Sequence, residues 1–173
     1  MTDERVTPAD QGLFAAYGRT MFSVQLFEQA LLALVQINQP EPPEATGFDD
    51  AWKQVEPLFR MTAGQLRKEL QKQGVVSEDL LGELQTAVNT RNTLAHSYLL
   101  EYRMRTALDS VTPQEAVQEM KKVRELYHGL TARLDAVTHE KAEQRGWDLD
   151  DLGGLTEEDL RRIASEVESE EER

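Results

Sequence analysis

Apolar residues recur at three- and four-residue spacing along most of the chain, the period of a helix with one buried face. Leu13, Tyr17, Met21, Val24, Phe27, Leu31 and Leu34 predict a long helix over about residues 9–38. Gly12 and Gly18 weaken it a little. Gln39-Pro40-Glu41-Pro42-Pro43 ends it, because proline lacks the amide proton and restricts the residue before it. A loop over 39–47 and a short helix from Phe48 through Trp52 and Val55, perturbed at Pro57, are expected next. Thr62-Ala63-Gly64-Gln65 has the capping-box pattern and opens a helix through Leu66 and Leu70 that stops at Gly74. Ser77-Glu78-Asp79 caps another, carrying Leu80, Leu84, Val88, Arg91, Ala95, Tyr98 and Tyr102 and fading near Asp109-Ser110. Thr112-Pro113-Gln114-Glu115 supplies a cap, a proline at N1 and a glutamate at N3. The helix it starts carries Ala116, Met120, Val123, Tyr127, Leu130, Leu134 and Val137, a seam for packing against other helices.

No strand pattern and no internal repeat is visible. The expected fold is all-α, an up-and-down bundle of four to five helices over residues 1–140, followed by an acidic extension over 141–173. Gly146 and Gly153-Gly154 bracket a linker in that extension. Thr156-Glu157-Glu158-Asp159 starts a short helix or a solvated tail ending in Glu168-Ser169-Glu170-Glu171-Glu172.

Composition narrows the function classes. The 173 residues contain no cysteine, which excludes disulfides, zinc–thiolate sites, iron–sulfur clusters and a cysteine nucleophile. No apolar run reaches 18 residues and the first five residues are polar and acidic, so neither a membrane span nor a secretory signal is expected; a cytoplasmic location is. The net charge of −13 argues against generic coating of DNA or RNA. Residues 140–173 hold 13 acids and 5 bases, so much of the surplus lies in the terminal fifth. Local positive stretches remain at 91–105, with Arg91, Arg103 and Arg105 against Glu101, and at 60–72, with Arg60, Arg67, Lys68 and Lys72 against Glu69. If both face one groove, Arg103 and Arg105 become candidate RNA contacts.

The segment Arg91-Asn92-Thr93-Leu94-Ala95-His96-Ser97-Tyr98 carries the chemistry. An arginine suits a phosphate and a histidine exchanges protons near neutral pH. Together they can cleave RNA without metal: His96 as general acid or base at the ribose 2′-hydroxyl or leaving oxygen, Arg91 stabilising the phosphorane. On an ideal helix, Arg91 and His96 stand about 140° apart and do not share a face, whereas Asn92 and His96 do. A compact site therefore needs a bent helix, long side chains reaching around, or a second subunit. Plainer roles compete: Arg91 as an interhelical salt bridge, His96 as a partly buried helix histidine, Tyr98 as core. His128 and His139 have no comparable setting. Asp148, Asp150 and Asp151 lack the spacing of a cation loop and read as linker acids. No glycine-rich phosphate loop or HExxH pattern is present, and neither metal nor cofactor is expected.

The 91–98 segment resembles the signature of the HEPN superfamily: an arginine, a polar residue that is often asparagine, a short spacer and a histidine. Arg91, Asn92 and His96 fit it, and Tyr98 matches the tyrosine two residues beyond the histidine in some HEPN toxins. Thr62-Ala63-Gly64-Gln65-Leu66 adds to the likeness, which in helical layout covers about residues 9–140. The resemblance implies a helical bundle that homodimerises and lines a cleft with paired motifs. It implies a metal-independent endoribonuclease of a toxin–antitoxin or defence system, with Arg91 and His96 catalytic and Asn92 supporting. In toxins paired with a nucleotidyltransferase antitoxin, the tyrosine matching Tyr98 is a modification or antitoxin-contact site. Other HEPN domains are non-catalytic dimerisation or protein-binding modules, which is the alternative for this chain.

Overall fold

The computed structural model describes residues 8–39, 53, 56–108 and 110–146. All regular structure among them is helical: α1 Pro8–Ile37, α2 Ala63–Gln73, α3 Glu78–His96, α4 Tyr98–Ala107 and α5 Pro113–Gln144, with a further helical turn at 56–59. The short helix expected over 48–55 lies outside the described residues except for Lys53, which is helical. The expected linker and last helix, from residue 147 onward, also lie outside them.

The helix starts follow local chemistry. The Thr62 hydroxyl accepts from the Gln65 amide at 3.3 Å, and the Gln65 side chain accepts from the Thr62 amide at 2.7 Å, a complete capping box. Glu115 and Thr112 make the same reciprocal pair ahead of α5, at 2.7 and 3.3 Å. The two hydrogen bonds from Thr112 hold the Glu115 carboxyl below its usual pKa. Ser77 caps α3 by accepting from the Leu80 amide. Gly74 closes α2 at φ 65°, a left-handed conformation that glycine adopts without a Cβ clash.

The compact unit that holds residues up to Thr138 is built on α1, α3 and α5. Thr20 and Met120, and Phe27 and Tyr127, meet in sequence order along α1 and α5, so those helices run parallel. Glu83 and Arg133, and Ala87 and Tyr127, meet in reverse order, so α3 is antiparallel to α5. Leu13, Phe27, Leu31, Leu34, Leu84, Tyr127, Leu130 and Leu134 are the buried core between them. The Tyr127 hydroxyl is satisfied there by the Ala87 carbonyl at 2.8 Å. Burial, with the Glu28 charge nearby, raises the Tyr127 pKa well above that of a free phenol.

Two features differ from the sequence-based expectation. First, α2 does not alternate. Thr62 and Leu66 lie beside Gln25–Leu32, and the Gln73 amide donates to the Val35 carbonyl, so α2 runs in the same direction as α1. Second, the helix expected through Tyr102 is two helices. Ser97, at φ −130° and ψ −22°, separates α3 from α4. The Leu94 carbonyl, which the Tyr98 amide would reach in an unbroken helix, accepts the Tyr17 hydroxyl of α1 at 2.7 Å. A side chain inserted at the carbonyl ladder is a recognised cause of a helix break.

By length and composition, Asp10–Ile37 of α1 is the one described helix apolar enough to cross a membrane, and half of that stretch is buried within the protein. Its inner face packs against α3 and α5, while Phe14, Phe22 and Leu26 on it are exposed. A second compact unit begins at His139, and residues 139–146 of it are described.

Candidate functional site

Arg91 and His96 lie on the same regular helix, α3, and the break follows His96 instead of falling between them. Their separation around the axis therefore stays near the ideal about 140°. Arg91 turns toward α1. Its Nε donates to Glu28 Oε1 at 2.7 Å, with both side chains about 30% exposed (31% and 29%). Its Nη1 makes a long contact, 3.5 Å, to the exposed Asn92 Oδ1.

His96 turns outward. It is exposed, and its imidazole makes no hydrogen bond or ion pair with the described residues. One protomer thus presents the two residues separately: an arginine engaged between helices and a histidine open to solvent. Asn92 and His96, four residues apart, lie on the same exposed side.

Exposure continues past the break at Ser97. Leu100, Met104 and Leu108 follow His96 at four-residue intervals and are exposed, Leu100 at 64% and Leu108 at 77%. On α4, Tyr98 and Tyr102 face the opposite way and are buried. Leu100, Met104 and Leu108 are thus an uncovered apolar ridge that begins four residues after His96, beyond the break at Ser97.

Tyr98 is 7% exposed and stacks on Tyr17, with ring centroids 6.0 Å apart and planes at 14°. Its hydroxyl is buried and makes no hydrogen bond of good geometry, although Glu119 is close enough to act on it. Burial, then the Glu119 charge, pushes the Tyr98 pKa up to about 12, with Arg105 opposing. A phenol so placed is a poor nucleophile and is out of reach of a modifying enzyme in this conformation.

Arg105 is engaged within the chain. It reaches α5 and pairs with Glu119 through both terminal nitrogens, at 2.7 and 3.1 Å, and that hydrogen bonding raises its own pKa. Arg103 is exposed on α4 and has an interaction of its own. In the other basic stretch, Arg60 pairs with Glu56, Lys72 with Glu69, and Arg67 donates to the Leu81 carbonyl of α3. Much of the local positive charge is thus spent inside the chain. His128 meets the Ser23 hydroxyl at 2.9 Å between α1 and α5. Among the described residues no three His, Asp or Glu side chains gather as a metal-holding group.

Glu28 and Tyr17 were not singled out by the sequence reading. Glu28 did leave a signal, since it is the single acid between Gln11 and Asn38. A lone carboxylate among mostly apolar positions, with Arg19 the one other charge in that stretch, points to a partner.

Comparison of the chain with protein-family models, with curated proteins and with solved structures finds no match.

Proposed function

We propose that the chain is a HEPN-type metal-independent endoribonuclease that works as a homodimer. The supporting observation is His96, exposed and without a partner among the described residues at the end of α3, followed in the chain by the exposed Leu100, Met104 and Leu108. A second copy seated on that ridge would bring two His96 side chains to one cleft. His96 would act as general acid or base and Arg91 would bind the scissile phosphate, with Asn92 supporting. Arg91 must leave Glu28, or share it, to do so. RNA is the substrate under this reading, and an antitoxin protein is the expected regulator if the chain is a toxin. The test is cleavage of total cellular RNA in EDTA by the wild type beside His96→Ala, with the fold checked by circular dichroism. Cleavage by the wild type alone supports the proposal. Equal cleavage by both removes His96 from the mechanism.

A second reading is supported by the 2.7 Å Arg91–Glu28 pair. Here the chain is a non-catalytic dimerisation or protein-binding module, and Arg91 is a tie between α3 and α1. It requires a folded dimer that cleaves nothing in EDTA and an Arg91→Ala variant that loses stability.

A further inference from the structure

The short helix α4 is set with hydroxyls inward and aliphatic side chains outward. Tyr98 and Tyr102 are buried on it, and the hydroxyls of Tyr98, Tyr102 and Thr106 are buried with no hydrogen-bond partner among the described residues. Leu100, Met104 and Leu108 are exposed. At about 100° per residue the two sets are centred about 160° apart, on opposite sides of the helix. A surface helix ordinarily does the reverse, because a buried hydroxyl without a partner has lost its hydration and an exposed Leu or Met has gained nothing. Thr106 sharpens the anomaly. Thr20, Thr86, Thr90 and Thr138 each donate to the carbonyl four residues before them, and Thr106 does not.

What fastens this orientation lies at the two ends of α4. At the start, the Tyr17 ring stacks on Tyr98 with centroids 6.0 Å apart. At the end, Arg105 pairs with Glu119 of α5 through both terminal nitrogens, at 2.7 and 3.1 Å, and the Ser110 hydroxyl donates to the Arg105 carbonyl at 2.8 Å. Between these ends, the inward Tyr102 hydroxyl is held by no hydrogen bond. The joint with α3 is a single residue. Ser97, at φ −130° and ψ −22°, is outside helical dihedrals and makes no side-chain cap to α4. Element-terminal residues of this kind absorb the dihedral change when one segment moves against another.

We propose that α4 is a two-state element that turns about its own axis at Ser97. In the packing described, the ridge faces solvent and the three hydroxyls face the core. In the second packing, Leu100, Met104 and Leu108 face the core and the Tyr98, Tyr102 and Thr106 hydroxyls reach water. Each packing buries an apolar set of comparable size, two tyrosine rings in one and two leucines with a methionine in the other, so the large burial term nearly cancels. What remains is a balance of local terms. Hydration of the hydroxyls favours the second packing; the Tyr17 stack and the Arg105–Glu119 pair favour the first. Any partner that covers the ridge binds the first packing alone and shifts the balance to it. The turn itself does not depend on RNA cleavage. Where the ridge is a dimer seam, as proposed above, the second packing belongs to the monomer, and only that consequence rests on the earlier reading.

The test is thiol accessibility, for which the chain is suited because it has no cysteine. Thr106→Cys reports the inward face of α4, and Met104→Cys, at a position 59% exposed, reports the ridge. Ala87→Cys, fully buried on α3, reports global unfolding. Each is labelled with DTNB in the whole protein, with and without Tyr17→Leu plus Arg105→Gln, which unfasten both ends of α4. With the fastenings intact, Thr106→Cys is expected to react about tenfold or more faster than Ala87→Cys, with little dependence on urea. Unfastening is expected to raise the rate at position 106 and lower it at position 104, each by about threefold or more. The opposite signs separate a turn from fraying, which raises the rate at 106 without lowering it at 104. Fraying overturns the proposal, as does reaction at 106 that is no faster than at 87 or that follows the urea dependence of global unfolding. If the unfastened chain fails to fold by circular dichroism, Glu119→Gln alone, which weakens only the α5 end, takes its place with the same expected signs. A chain that cleaves no RNA but shows the opposite signs keeps the turn and loses only the nuclease.

Discussion

The hydroxyl of Tyr17 donates to the carbonyl of Leu94 at 2.7 Å, at the point where α3 gives way to α4. Its ring stacks on Tyr98, the first residue of α4. One α1 side chain thus holds both sides of the break that separates His96 from Tyr98. Tyr17→Phe keeps the stack and removes the hydrogen bond. The expected cost is about 1 kcal/mol in denaturant unfolding. Amide exchange at residues 95–100 is expected to change locally while the α5 amides stay protected. Unchanged exchange there would mean that the break belongs to the 94–98 backbone itself.

The contrast between two buried tyrosines gives a second prediction. Tyr127 donates to Ala87, whereas the Tyr98 hydroxyl has no partner of good geometry. Tyr127→Phe is expected to destabilise by about 1 kcal/mol, and Tyr98→Phe to be neutral or slightly stabilising. The same burial sets an alkaline limit. The Tyr98 pKa is raised from 10.0 to about 12 in the folded state, so folding favours the neutral phenol. Its contribution is fully present below pH 10 and is lost as pH rises toward about 12. Absorbance titration of tyrosinate should therefore show Tyr98 ionising late or together with unfolding, and Tyr98→Phe should remove that component.

The parts of this fold that were legible in the sequence are those decided within four residues. Thr62 with Gln65, Ser77 with Leu80, and Thr112 with Glu115 form where the patterns place them, because a cap needs only its own turn. The break at Ser97 was not legible. No proline or glycine occurs between Arg91 and Tyr102, and the cause, Tyr17, lies 77 residues from Leu94. The direction of α2 is likewise fixed by distant packing, such as Gln73 on Val35. At the site, helical spacing alone separated Arg91 from His96, and that separation stands. The choice of Glu28 among 32 acidic residues was a tertiary matter.

The Arg91–Glu28 pair is measurable by a double-mutant cycle. Both side chains are close to one-third exposed, so solvent screens the pair and its coupling is expected at about 1 kcal/mol, the upper end for exposed pairs. Arg91→Ala, Glu28→Ala and the double variant, unfolded in urea at low and at 0.5 M salt (about a 4 Å screening length), give that number. A coupling that falls with salt identifies an ion pair. No coupling would show that Arg91 is free to serve elsewhere, which strengthens its assignment as the phosphate-binding group.

The uncovered ridge on α4 makes the last prediction. Leu100, Met104 and Leu108 are exposed at four-residue spacing in a chain of net charge −13, as are Phe14, Phe22 and Leu26 on α1. Apolar ridges of this kind cover one another in symmetric pairs, because a two-fold axis sets each residue against its own counterpart or near it. Leu100→Glu with Leu108→Glu places like charges across that axis. Neither side chain contributes to the buried core, so the fold should persist by circular dichroism while sedimentation shows a shift from dimer to monomer. If the cleavage site is composite, ribonuclease activity falls with dimerisation in the same variant, although Arg91 and His96 are untouched. A monomeric wild type would instead detach His96 from any two-fold cleft and leave only a single-chain mechanism, which the outward-facing His96 and the inward-turned Arg91 do not support.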